Sequence, residues 1–253
     1  MRKIILILTA IAGLSAVTFA QETAVPETAA APDSAAIQTT TDDSQETEQE
    51  SEAKIKKTRN IDFFLCFEPA LIINTGDTSE SAVSPIVYPI SFGAVFFKTK
   101  PVTFQPRLSF FANYYLWEND KAYPAEIENR TAAVFSFLLD LPAVYTLNLK
   151  EKHHMDFAFG PAFNFRIITL ANGVSGSDAG STGTADGDVS EIRSYLWGNG
   201  NFVYLSTYTS YLYSVSDRLQ VGPEFRFYIS CGQLFSGNGF DSSMLSLGIK
   251  AKF

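Results

Sequence analysis

The sequence is poor in the residues most chemistry relies on. It holds two cysteines and two histidines in 253 residues. One disulfide is the most that Cys66 and Cys231 permit in an exported chain. They fall on different, non-adjacent strands of the reading below, so both are expected to stay free. His153 and His154 are adjacent, and adjacent residues on a strand point to opposite faces, so a shared metal is not expected. The pair is expected to be a solvated turn. Beyond the first 20 residues no apolar run is long enough for a membrane-spanning helix, which needs about 20 residues. A membrane protein lacking such runs must be a closed β-barrel, because only helices and barrels satisfy every backbone group in lipid. Residues 21–58 contain no aromatic side chain at all, so they lack the apolar surface that would offset the entropy of ordering.

Three segments follow. Residues 1–20 read as a cleaved signal peptide: a basic start at Arg2 and Lys3, an uncharged apolar stretch to Phe19, and small residues at Thr18 and Ala20. Residues 21–60 read as a disordered acidic tail. It carries Glu22, Glu27, Asp33, Asp42, Asp43, Glu46, Glu48, Glu50 and Glu52, so the formal net charge of −8 belongs largely to the tail. The tail ends in Lys54, Lys56, Lys57 and Arg59, which read either as a solvated linker end or as a contact for anionic headgroups.

From Ile61 onward the pattern is alternation. In residues 218–229, Leu219, Val221, Pro223, Phe225, Phe227 and Ile229 oppose Arg218, Gln220, Gly222, Glu224, Arg226 and Tyr228. Residues 155–167 and 102–117 behave alike. This is the period of a strand. Eight strands are predicted: 61–74, 86–98, 102–117, 131–149, 154–169, 201–214, 218–231 and 243–253. A further segment, 190–197, would raise the number to ten if it were a strand. Short connections at 98–101, 150–153 and 215–217 alternate with long ones at 75–85, 118–130, 171–200 and 232–242. Transmembrane barrels show that asymmetry. A secreted β-sandwich would also alternate, but it does not account for mid-strand charges on the polar faces or for so many phenylalanines on the apolar ones.

Glu68, Arg107, Asp140, Asp156, Arg166, Glu224 and Arg226 are those mid-strand charges. They are expected to face the lumen, where they either pair into a plug or line a narrow pore. Tyr88, Tyr114, Tyr145, Trp197 and Tyr204 are candidates for interfacial girdles. Four strands repeat an apolar-x-Pro-x-apolar pattern at Pro69, Pro106, Pro161 and Pro223. Proline cannot donate to a ladder, so bulges are expected there. The Gly-, Ser-, Thr- and Asp-rich stretch 171–200 reads as a flexible external loop. Asp186, Asp188 and Glu191 within it lack the full spacing of a calcium loop.

The last strand ends Ser246-Leu-Gly248-Ile-Lys-Ala251-Lys-Phe253. With the alternation behind it, this resembles the C-terminal recognition strand of bacterial outer-membrane barrels, with Ser246, Gly248, Ala251 and Phe253 in the signal positions. Ala251 is the departure, being a weak hydrophobic there. Residues 61–253 are similar to the small OmpA-, OmpX- and OmpW-type barrels. The resemblance implies an all-β, up-and-down transmembrane barrel, inserted by the barrel-assembly machinery into the outer membrane, with lipids as its surroundings and both termini periplasmic. Three functions follow from it: a structural or surface-interaction barrel meeting an extracellular ligand through its long loops, a narrow channel for small or hydrophobic solutes, and a barrel enzyme acting on lipid or peptide. The first is the leading expectation, for a monomer without cofactor, metal, nucleic acid or catalysis.

Overall fold

The computed structural model describes residues 61–75, 85–98 and 100–253. The signal-peptide and tail readings lie outside the described residues. Thirteen strands form one antiparallel sheet. Four barrel strands come in two pieces each: β1 (Asp62–Phe67) with β2 (Ala70–Ile72), β3 (Ile86–Val87) with β4 (Ile90–Val95), β5 (Val102–Phe104) with β6 (Arg107–Glu118), and β8 (Ala132–Asp140) with β9 (Ala143–Lys150). The other four are β10 (His153–Leu170), β11 (Val203–Ser216), β12 (Leu219–Ser230) and β13 (Met244–Lys252). β13 pairs with β12 on one side and with β1 and β2 on the other, in the register Phe64 to Lys252 and Leu245 to Leu71. The sheet therefore closes into eight barrel strands. A sandwich, which has free edges, is excluded.

β7 (Lys121–Ala125) pairs with β6, as a hairpin beyond the ring. The segment considered as a ninth or tenth strand is instead helical, part of α1 (Ala185–Trp197). A second short helix, α2, spans Cys231–Phe235. The longest strands run 12 to 18 residues, more than the ~9–11 that a tilted strand needs to cross hydrocarbon. Outward positions such as Phe67, Ile90, Phe159, Ile167, Leu247 and Ile249 are at least half exposed. In water such a surface would drive aggregation. In lipid it is the expected exterior of a barrel.

The prolines do not make bulges. The register shifts recorded lie instead at His153/His154 and Ser214/Ser216. At Pro69, Pro89, Pro106 and Pro142 the strand is interrupted, which is why four barrel strands are split. At Pro161 and Pro223 the strand runs through. The physical reason is that proline loses only its donor. The carbonyls of Pro69, Pro89, Pro106, Pro142 and Pro161 still accept from the N–H groups of Leu247, Glu68, Ala94, Gln105 and Leu141. Pro106, Pro142 and Pro161 lie level on neighbouring strands, and Gly160 lets β10 lie close against the interruption at Pro142. A Cβ there would stand 2.6 Å from both the Leu141 carbonyl oxygen and Pro142 Cα.

Candidate functional site

The inward face is stacked in layers. At the proline level lies a layer of charge. Glu68, Arg107, Asp140 and Glu224 each stand within two residues of a proline, and together with Asp156, Arg226 and Lys250 they are fully buried. Arg107 donates from Nη1 to Glu68 Oε1 at 2.5 Å and pairs through Nη2 with Glu224 Oε1 at 2.6 Å. Arg226 pairs with Asp140 through Nη1, with Glu224 through Nη2 at 2.8 Å, and with Glu68 through Nε at 3.7 Å. Lys250 reaches Glu224 Oε2 at 3.4 Å and Asp156 Oδ2 at 3.6 Å.

Hydroxyls and an amide complete the layer. Ser91 donates to Glu68 at 2.9 Å, Ser206 to Asp140 at 3.0 Å and Thr146 to Asp156 at 2.6 Å. Gln105 Oε1 accepts from Lys250 at 3.0 Å and from Tyr208 at 3.2 Å. The Tyr208 ring lies 4.0 Å from the Arg226 guanidinium and the Phe64 ring 4.6 Å from the Lys250 ammonium. These aromatic faces bring partial negative charge to cations held away from water.

Of the seven charges singled out from sequence, six share this network. Arg166 does not. It is buried one level further along, where it donates to the carbonyls of Leu196 and Asn201 and, at 2.6 Å, to the Tyr204 hydroxyl. Tyr204 is thereby an inward residue, 2% exposed, and not part of a girdle. Tyr88, Tyr145 and Trp197 do face outward, while Tyr114 is half-buried under Arg130. Lys250 is the member sequence reading missed. It stands on the polar face of the last strand, where the period of two sends it inward.

Beyond the charge layer is an apolar one, with Phe111, Leu138, Ala162, Tyr228, Ile72 and Met244 packed together. α1 then closes the mouth. Val189, Ile192 and Leu196, at helical spacing, pack on Tyr115, Val134 and Ile168 of the inward barrel face. Thr184 caps the helix by accepting from the Gly187 N–H at 3.2 Å. Asp188 accepts from Ser181 N, Thr182 N and the Thr182 hydroxyl, so this carboxylate ties the loop down. Gln233 donates to the Tyr195 hydroxyl at 2.7 Å, and burial pushes that phenol up to about 12. The stretch 171–200 is therefore a built lid and not a flexible loop. Its composition disguised a legible helix signal: a Thr cap, acids in the first turn, then apolar residues three and four apart.

The opposite rim is where β1 begins and β13 ends. A cavity of about 260 Å³ is lined there by Lys98, Lys100, Lys252, Asn148, His154 and Gln220, over a floor that includes Asp156. Its polar wall is a hydrogen-bonded arc across four strands. Gln220 Nε2 donates to Ser214 Oγ at 3.2 Å, Ser214 Oγ lies 3.1 Å from His154 Nε2, and His154 Nδ1 lies 2.7 Å from Asn148 Oδ1. With Gln220 donating to Ser214, the serine proton is directed at His154 Nε2 and the Nδ1 proton at Asn148, an assignment made from the network. His153 turns the other way, onto Tyr211 and Tyr213.

The ligand-type atoms of Cys66, Glu68 and Glu224 lie within 4.8 Å of one another. Arg107 already pairs with both carboxylates, so Glu68 and Glu224 are engaged with a guanidinium. Both Cys66 and Cys231 are free thiols.

No known protein family matches the chain, and no curated protein does. Among solved structures it is similar to Neisserial surface protein A, at 14% identity over 77% of this chain and 98% of that one, TM-score 0.45. It is similar to OprG, an outer membrane protein of Pseudomonas aeruginosa, at 9% identity over 76% and 96%, TM-score 0.41. The attachment invasion locus protein Ail of Yersinia pestis gives 5% over 76% and 97%, TM-score 0.39. The likeness is one of fold: the chain is a closed, antiparallel, eight-stranded β-barrel similar to small outer-membrane barrels.

Proposed function

We propose that this protein is an integral outer-membrane barrel with a sealed lumen and a structural or surface-interaction role. The observation that carries the reading is the buried ion network, which joins Glu68, Arg107, Asp140, Asp156, Glu224, Arg226 and Lys250 across the interior. An eight-stranded barrel is about wide enough for side chains to fill, and parting buried ion pairs for a solute would leave charges uncompensated in low dielectric. In this reading both termini lie in the periplasm and the α1 and α2 loops lie outside, where they meet an extracellular ligand. Lipid surrounds a monomer that needs no cofactor, metal or nucleic acid. Ser246, Gly248, Ala251 and Phe253 serve the barrel-assembly machinery. The test is single-channel recording of the refolded protein in planar bilayers, after heat-modifiability on gels establishes a folded barrel. A folded, silent protein is expected. Discrete conductance steps that change with Arg107→Ala or Glu224→Ala would replace this reading with a narrow channel.

One observation favours a second reading. Asn148, His154 and Ser214 have the order and spacing of an orienting group, a base and a nucleophile. A hydrolase would use them on a substrate in the rim cavity. Ser214 is not among the cavity's lining residues, which is why this reading stands second. Turnover of a nitrophenyl ester by the refolded protein, abolished by Ser214→Ala, would promote it. Turnover absent from wild-type protein removes it.

A further inference from the structure

The charges around the rim cavity do not balance. Three lysines line it, Lys98, Lys100 and Lys252, against one carboxylate, Asp156. Lys98 pairs with Asp62 at 2.7 Å. Asp156 lies 3.6 Å from Lys250, accepts from Thr146, and accepts from Ser210 at 3.4 Å. Removing those two matched pairs leaves Lys100 and Lys252. Among the described residues, neither has a carboxylate within ion-pair distance.

Lys252 is not a surface lysine on a flexible stem. It is in register with Phe64 on β1 and Gln220 on β12, half-buried on the inward side of the barrel wall. With no carboxylate of the described residues at ion-pair distance, this half-buried ammonium gives up hydration that the more distant Asp156 and Asp62 return only in part. A bound anion reverses that balance.

We propose that the rim cavity binds a phosphate monoester: its phosphate lies between Lys100 and Lys252, and its hydroxyl-bearing part lies against Gln220, His154 and Asn148. The arc through Ser214 holds those three side chains in fixed orientations, so the polar wall is set before the ligand arrives. The volume of about 260 Å³ equals roughly nine waters at ~30 Å³ each. That exceeds what inorganic phosphate needs and suits a small phosphorylated polyol. Lys250, shared between Asp156 and Glu224, reduces the floor's repulsion of the anion. The site is independent of whether the lumen conducts. Conductance and ligand binding are read separately, so one can fail without the other.

The test uses the refolded protein in octyl glucoside micelles, which hold no phosphate. Inorganic phosphate and glycerol 3-phosphate are titrated calorimetrically and by phosphorus NMR line broadening. Saturable binding of glycerol 3-phosphate is expected, tighter than that of inorganic phosphate and weakened by added salt. Lys100→Gln with Lys252→Gln should weaken both ligands tenfold or more. Lys150→Gln, at the exposed end of β9, should change neither. His154→Ala should weaken glycerol 3-phosphate more than inorganic phosphate. No saturable binding by wild-type protein at millimolar ligand overturns the proposal, as does binding untouched by the double substitution. If that variant fails to fold, wild-type protein answers instead. The ligand should shield Lys100 and Lys252, and not Lys150, from acetylation read by mass spectrometry, and equal modification with and without ligand overturns the site.

Discussion

Replacing Arg226 by Met should be among the most damaging single changes the barrel can receive. Arg226 is fully buried and touches Asp140, Glu224 and Glu68. The layer holds four carboxylates, Glu68, Asp140, Asp156 and Glu224, against three cations, Arg107, Arg226 and Lys250. Without Arg226 the ratio becomes four to two. Asp140 then keeps the Ser206 hydroxyl at 3.0 Å but loses its ion-pair partner. Removing one member of a buried pair costs about 3–5 kcal/mol, because the other charge stays buried and uncompensated. That is a factor of roughly one hundred to several thousand in the folded population. The assay is equilibrium urea unfolding in lipid vesicles, followed by the fluorescence of Trp117 and Trp197 and by gel mobility. The double variant Arg226→Met with Asp140→Leu removes both charges and leaves apolar volume behind. It should recover at least ~2 kcal/mol of the single loss, since apolar replacement of a whole buried pair is often neutral. A single variant within ~1 kcal/mol of wild type, together with strictly additive double-variant energies, would refute the view that these charges hold one another.

Three further outcomes are expected. Ile192→Ala empties a fully buried position in the lid and should loosen it by about 2–5 kcal/mol, so that protease cuts within 171–200 while the strands remain protected. Gly160→Ala places a Cβ 2.6 Å from the Leu141 carbonyl oxygen and should lower the urea midpoint by more than a surface substitution, whose effect is usually within about 0.5 kcal/mol; an unchanged midpoint would mean that the proline-level strands can spread apart. Deleting Phe253 should slow insertion by purified assembly machinery more than it slows spontaneous refolding into detergent, and equal slowing would count against a recognition role for the C-terminal strand.

The alternation of residues such as Phe157, Phe159 and Phe165 against Asp156, Asn164 and Arg166 assigns faces, because side-chain direction in a strand has a period of two regardless of partners. That local rule also sets eight strands and the contrast of short and long connections. It sends Glu68, Arg107, Asp140, Asp156, Glu224 and Arg226 inward, and it sends Lys250 inward too. Which charge meets which is another matter. Arg226 and Asp140 are separated by 86 residues, and their meeting depends on register and closure. A one-residue slip would turn either side chain to the lipid. Sequence alone could not choose between a bulge and an interruption at Pro69 or Pro106, since that depends on whether a neighbouring strand offers an N–H to the proline carbonyl. Nor could it set Ser214 beside His154, 60 residues away, or keep every carboxylate of the described residues beyond ion-pair distance of Lys252, because both facts arise from strands that become neighbours when the sheet closes. The chain's local chemistry determined a barrel with a charged interior. Closure of the sheet decided that these charges meet in one ion-paired layer, with a helix over one end of the barrel and a lysine-lined cavity at the other rim.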